Sequence, residues 1–271
     1  MKDYYYIELP TSLSEKNAKL QMQQEINVAG LKLFYKPAGK NKKDAKIIVC
    51  CKADSENDFC DIFGKSNKLC LKNSQVKKAS NCDIEDKRIK EKHRVVCFSD
   101  NENNRRYKKV LFLGTHITEK SIEKGFFYLG VNNCFWELVS SLYENNPALS
   151  SESSPERLYS ECQNLHIAIA DIIGSCKCVG SKDDFIIEET IVINKYLKPL
   201  LQEADIIVIN GKGLKKGKEL PMSARYFFRK YVATMGNFNA DVKYVLGSPP
   251  GSPGKEKKKE DWKSVIGSVF K

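Results

Sequence analysis

Four short apolar runs in the second half of the chain constrain its fold most. They are KVLFLG (109–114), HIAIADII (166–173), DIIVING (205–211) and DVKYVLG (241–247). Each is too short for a buried helix, and each has the composition of a strand covered on both faces. Helical patterns fall between and after them. Residues 133–145 set Phe135, Leu138, Val139 and Leu142 on one side, and 185–203 do the same with Ile187, Ile191, Tyr196, Leu197 and Leu200. SARYFFRKYVAT (223–234) and EDWKSVIGSVF (260–270) complete the set. Parallel neighbours need a long crossover, which a helix supplies. Alternating strands and helices therefore predict a three-layer α/β/α fold around a mainly parallel, four-stranded central sheet.

The first 105 residues read differently. Ser-Leu-Ser-Glu (12–15) has capping-box spacing and predicts a helix to about Asn27. GLKLFYKP and AKIIVCCKA are strand-like, 54–92 is polar and loop-rich, and HRVVCFS (93–99) is another strand candidate. The polar break DNENNRR (100–106) sets the expected boundary: an N-terminal α+β accessory region over 1–105, and the α/β domain over 106–271. The net charge of +11 is uneven, with 24 Lys+Arg against 15 Asp+Glu in residues 1–110 and 21 against 19 beyond. A basic excess of this kind fits a polyanionic partner such as nucleic acid, or a solvated lysine-rich surface.

Other features narrow the class. No apolar run reaches the ~18 residues of a membrane span. The start MKDYYYIELPTSLSEK lacks the apolar core of a secretory signal, so an intracellular protein is expected. Six of the ten cysteines fall between Cys50 and Cys97, in spacings that match no zinc or iron–sulfur framework; reduced thiols filling the core are expected, and no metal.

In an open parallel sheet, ligands bind at the carboxyl ends of the strands. The segments expected there are GTHITEKS, GSCKCVGS, NGKGLKKGK and GSPPGSPGKEKKK, all rich in Gly, Ser and polar side chains. None is a phosphate loop or a dinucleotide fingerprint, so no nucleotide cofactor is expected. A further stretch, GFFYLGVNNCFWELV (125–139), combines five aromatics with two glycines and adjacent asparagines.

Taken in order, LFLGTHITEKS, GFFYLGVNNCFW, ADIIGSCKCVGS, IVINGKG and VLGSPPGSPG resemble the uracil-DNA glycosylase superfamily, above all its hypoxanthine-DNA (deoxyinosine) and mismatch-specific uracil branch. The resemblance spans about residues 108–270. It implies hydrolysis of the N-glycosidic bond of a deaminated base, hypoxanthine or uracil, flipped from DNA, by a monomer without cofactor. It also implies a cytoplasmic location in a prokaryote or a nuclear one in a eukaryote.

The resemblance assigns roles residue by residue. Tyr128 stands at the stacking aromatic, before the signature Asn133-Cys134-Phe135-Trp136. Asn133 caps the helix, contacts the base, or both. His116 occupies the position where the family usually has a water-positioning Asp or Asn; it orients water, or charges and assists departure of the base, or is polar surface. Gly114, Thr115, Asp171, Ser175 and Asn210 would line the base, with Asp171 alternatively a structural anchor and Asn210-Gly211 alternatively a plain turn. Ser248, Ser252, Lys212, Lys255, Lys257 and Lys258 would meet the DNA backbone. The usual His or Asn of the Ser-Pro loop is absent here. Two alternatives stay open: a non-catalytic DNA or modified-base binding module on the same scaffold, and a nucleoside hydrolase.

Overall fold

The computed structural model describes residues 3–11, 32–36, 45–64, 76–83, 96–98, 107–144, 146–178, 186–215, 217–220, 222–236, 238–249 and 253–270. They group into two compact units, one of Met1–Asn81 with Lys177–Thr190, the other of Cys82–Cys176 with Ile191–Lys271. No described helix is long and apolar enough to cross a membrane.

In chain order the first elements are β1 (Asp3–Thr11), β2 (Lys32–Lys36), β3 (Ala45–Ala53), α1 (Glu56–Gly64), β4 (Lys77–Lys78) and β5 (Ser80–Asp83). The first unit is built on an antiparallel sheet of order β2-β3-β1-β4. Side chains alternate across a strand. Tyr4 and Tyr6 of β1 therefore share a face with Ile48 and Cys50 of β3, and these four pack with Ala79 and Ile187. The buried Tyr4 satisfies its hydroxyl by donating to Glu189, 2.8 Å away.

The second unit contains β6 (Val110–Gly114), α2 (Glu119–Lys124), α3 (Phe135–Ser140), α4 (Pro155–Asn164), β7 (Ile167–Asp171), the start of β8 (Ile173–Cys178), the end of β9 (Ile186–Ile193), α5 (Leu197–Glu203), β10 (Ile206–Asn210), β11 (Leu214–Lys215), β12 (Lys218–Glu219), α6 (Ala224–Phe227), β13 (Asp241–Val245) and α7 (Lys255–Ile266). Its central sheet has the order β13-β10-β6-β7 and is parallel throughout. Val110, Phe112, Ile167, Ile169, Ile206 and Val208 face one core, shared with Trp136 and Trp262. The alternate residues Leu111, Leu113, Ala168, Ala170, Ile207 and Ile209 are buried as well. A sheet covered on both faces is the three-layer α/β/α architecture expected from the sequence.

Several local expectations need correction. Residues 174–178, expected to be a loop at the carboxyl edge, belong to strand β8. Residues 186–193 form β9 instead of the first half of a helix, and only Leu197–Glu203 is helical. The segment IIEETIVI is dominated by β-branched residues, whose stiff side chains favour a strand. Helix α3 is shorter than 133–145, and α7 begins at Lys255, so the lysine run opens a helix and does not extend a loop. Residues 56–64 form α1 within the stretch read as loop-rich, and β1 had no sequence expectation. The helix expected over 12–27 lies outside the described residues. Of the strand candidate 93–99, residues 96–98 are described, and Val96 bridges Ile169.

Candidate active site

Strand period places three polar or special residues in equivalent positions. On the Trp136 side of the sheet, the rows Val110-Phe112, Ile167-Ile169 and Ile206-Val208 end in Gly114, Asp171 and Asn210. All three lie at the carboxyl edge, and Gly114 pairs directly with Asp171. Gly114 leaves the space that two neighbours fill. A Cβ there would lie 2.1 Å from Asp171 Oδ1 and 2.8 Å from the Tyr128 hydroxyl. The carboxylate and the phenol thus converge on one point above the end of β6.

Tyr128 is delivered by the aromatic loop. Helix α2 starts at Thr118, whose side chain accepts from Ser121 N, and ends at Gly125 in the left-handed region at φ 75°. Tyr128 (φ 59°) and Asn132 (φ 60°) are left-handed too. For a residue with a Cβ this costs about 1–2 kcal/mol, so surrounding contacts must hold it. The ring of Tyr128 stacks on Phe135, with centroids 3.8 Å apart and planes at 17°. Trp136 is fully buried and donates from Nε1 to the Phe127 carbonyl at 3.0 Å, fixing the loop from below. The Tyr128 hydroxyl is shielded from solvent and makes no hydrogen bond of normal geometry. Burial chiefly, and the Asp171 charge next, push its pKa well above the usual phenol value, while the nearby Asn210 acts the other way.

A hydrogen-bonded bridge ties three segments beside this point. Asn210 donates from Nδ2 to Ser248 Oγ and accepts from Ser248 N, both at 2.9 Å. Ser248 is fully buried, and its carbonyl accepts from Cys134 N at 3.3 Å. The Cys134 thiol donates to the same carbonyl at 3.2 Å. Asn133 Oδ1 accepts from Phe135 N at 3.0 Å, which is helix-start geometry. Asp171 is 3% exposed, and its main-chain carbonyl accepts from Asn194 Nδ2 at 2.9 Å. Burial raises the Cys134 pKa, which disfavours a thiolate nucleophile.

The structure therefore brings together Gly114, Tyr128, Asp171, Asn210 and Ser248, with Asn133 next in the chain to the Cys134 that binds Ser248. Thr115 and His116 follow β6 and are half-buried. The Thr115 carbonyl accepts from Ile173 N at 2.9 Å. Ser175 stands apart from the three rows, within β8. The candidate phosphate-binding lysines differ sharply. Lys258 is 4% exposed and donates to the Pro249 carbonyl at 2.6 Å, so its ammonium is used inside the fold. Lys212 is paired with Asp261, and Lys255 lies 3.4 Å from Glu137. Lys257 is exposed. Ser252 lies outside the described residues. Asn194 and Asp261, which accepts from Leu246 N at 2.8 Å, support the edge without having stood out in the sequence. A cavity of about 220 Å³ lined by Lys198, Leu201, Gln202, Met235, Gly236 and Phe238 lies elsewhere, beside the segments that lead into β10 and β13. Among the described residues no group of three or more His, Cys, Asp or Glu is arranged to hold a metal ion.

No family model matches the chain, and no curated protein matches it. Among solved structures it is similar to the solution NMR structure of a candidate uracil DNA glycosylase from Methanosarcina acetivorans. The two share 21% identity with a TM-score of 0.44, over 61% of this chain and 92% of that one. The α/β architecture described above stands on the sheet order itself.

Proposed function

We propose that residues 106–271 form a monofunctional DNA glycosylase, hydrolysing the N-glycosidic bond of hypoxanthine or uracil flipped out of DNA. One observation carries the reading: Gly114, Tyr128, Asp171 and Asn210, drawn from four separate motif segments, meet at the carboxyl edge of a parallel sheet. This is where such sheets bind ligands. The flipped base stacks on Tyr128, whose far face is already backed by Phe135. Water attacks C1′ while the C1′–N bond breaks and its electron pair leaves with the base. His116 orients that water, and the water's proton passes to the ring or to solvent. Asn133 acts by fixing the loop, since its Oδ1 is committed to Phe135 N. Lys257 and Lys255 are the better candidates for phosphate contact; Lys258 and Lys212 are engaged internally. Hydrolysis of this kind needs no metal or nucleotide cofactor.

The test is excision on duplex and single-stranded oligonucleotides carrying one inosine or one uracil. The expected result is an alkali-sensitive site with at least one base, reduced at least tenfold in Y128A and in H116A. Y128F separates the ring from the hydroxyl: stacking alone predicts that excision survives. No product with either base overturns the reading. A second reading, a non-catalytic DNA-binding module, is favoured by the commitment of Asn133 and by His116 standing where the family carries a carboxylate or amide. Salt-dependent DNA binding without product would support it.

A further inference from the structure

We propose that the segment immediately beyond β10, residues 211–240, carries a second surface that binds one strand of polynucleotide. The charge distribution within the α/β half leads to it. Residues 211–240 hold seven Lys and Arg (Lys212, Lys215, Lys216, Lys218, Arg225, Arg229, Lys230) against a single acid, Glu219, for a net +6. The remainder of 111–271 holds fourteen basic and eighteen acidic residues, a net −4. The small positive balance of this half is therefore concentrated in one segment, which starts at the candidate active site.

Local geometry arranges residues 225–231 of that segment as a stripe. Helix α6 runs into a π-turn over Phe228–Val232. Phe227, Phe228 and Val232 are buried, Arg229 and Lys230 are exposed, and Tyr226 and Tyr231 are half-buried on either side. The wider turn lets the buried residues keep their places while both tyrosines flank the cations; π-turns recur at functional sites. Lys230 Nζ lies 5.5 Å from the Tyr226 ring and 5.4 Å from the Tyr231 ring, and Arg225 lies 4.4 Å from the Tyr244 ring. The stripe is held near the site's edge by two glycines. A Cβ on Gly211 would touch Ala224, and one on Gly213, at φ 57°, would collide with Ser223 Oγ.

Cations interleaved with flat aromatic rings suit an unpaired strand, with phosphates meeting Arg229 and Lys230 and bases meeting the tyrosines. A duplex offers phosphates but no free base faces. An anionic membrane would call for exposed aliphatic or aromatic residues beside the cations; here the apolar residues of the turn point into the core, and the segment's exposed Leu214 and Leu220 lie at the β11–β12 strands instead. The surface gives the proposed glycosylase a hold on the strand that carries the flipped base, and to that extent it rests on that reading.

Binding and excision are measured separately, so the two readings fail separately. The probe is a fluorescent oligothymidine strand, with an undamaged duplex and anionic vesicles as comparisons, titrated by anisotropy or sedimentation with the full chain at several salt concentrations. R229Q/K230Q should lower the salt slope for the single strand by about 1.4, two phosphates' worth. Y226S/Y231S, checked for an intact melt, should weaken single-strand binding at least tenfold and duplex binding much less. R229Q/K230Q and K257Q are compared directly. An unchanged slope in R229Q/K230Q, or vesicle binding that exceeds strand binding, overturns the proposal. Loss of slope in a protein that excises no base keeps this surface and removes the glycosylase reading.

Discussion

The two edges of the parallel sheet spend their polar groups in opposite ways. At the amino edge, the buried His166 aside, they work as ordinary surface fastenings. Lys109 N donates to Asp205 Oδ2 at 2.8 Å in an exposed position, and Lys109 pairs with Glu203 across 3.4 Å with both side chains reached by water. At the carboxyl edge the polar groups are buried. Asp171 is 3% exposed and Ser248 fully enclosed, and the Tyr128 hydroxyl is sealed beside them. Burying a carboxylate or a phenol costs on the order of several kcal/mol unless neighbours compensate it. A chain that needed only to close its sheet would solve both edges in the cheaper, solvated way. The contrast marks the carboxyl edge as the part built for something besides stability. The cavity of about 220 Å³ lies instead beside the segments that lead into β10 and β13.

The contrast can be broken by mutation. The largest effect is expected from W136A, beneath the carboxyl edge. Trp136 is fully buried, packs edge-on against Phe135 and holds the Phe127 carbonyl. Its loss should cost about 3–5 kcal/mol, read as a collapse of the chemical-denaturation midpoint. G114A comes next. Its new methyl meets Asp171 and Tyr128 at impossible distances, so β6 or the aromatic loop must shift. The expected cost is about 1–3 kcal/mol, and any base excision should fall further than stability does. S248A and E203A then compare the edges directly. Ser248 loses its hydroxyl from a buried reciprocal pair, for about 1–3 kcal/mol, whereas Glu203 gives up an exposed ion pair, for no more than about 1 kcal/mol. Equal losses in the two variants would erase the contrast.

The same contrast sets what could be read from the sequence. All four parallel strands were legible, because short apolar runs bounded by Gly or Asp have few other uses. Asp171 was read inside an apolar run that continues to Ile173, yet strand period puts it on one face with Gly114 and Asn210, and those two were legible as strand ends. Their partners were not. Asn210 meets Ser248 across 38 residues, and no local pattern announces that. Lys258 reads from the sequence as a phosphate contact in a lysine run, with no sign of its burial. Only the helix phase reveals it, since 258, 262 and 266 lie four apart, on the stripe that buries Trp262 and Ile266. Residues 186–193 were misread because Ile187 and Ile191 satisfy a helical spacing by accident. Their β-branched neighbours and the Tyr4–Glu189 bond, 185 residues distant, decide for a strand.

The smallest expected effect lies at the amino edge and depends on pH. His166 begins the approach to β7, is 6% exposed, and has φ 53°. Burial first, and repulsion from Lys109 second, lower its pKa below the ordinary value of about 6.5. A lowered pKa means that the unfolded chain binds the proton more readily than the folded one. The stabilising contribution is therefore complete above pH 6.5 and is lost as the pH falls through the folded value. Thermal melts at pH 7 and pH 5 should show a drop that shrinks in H166N, because asparagine tolerates the left-handed backbone and does not titrate. An identical drop in the variant would mean that the acid sensitivity arises elsewhere.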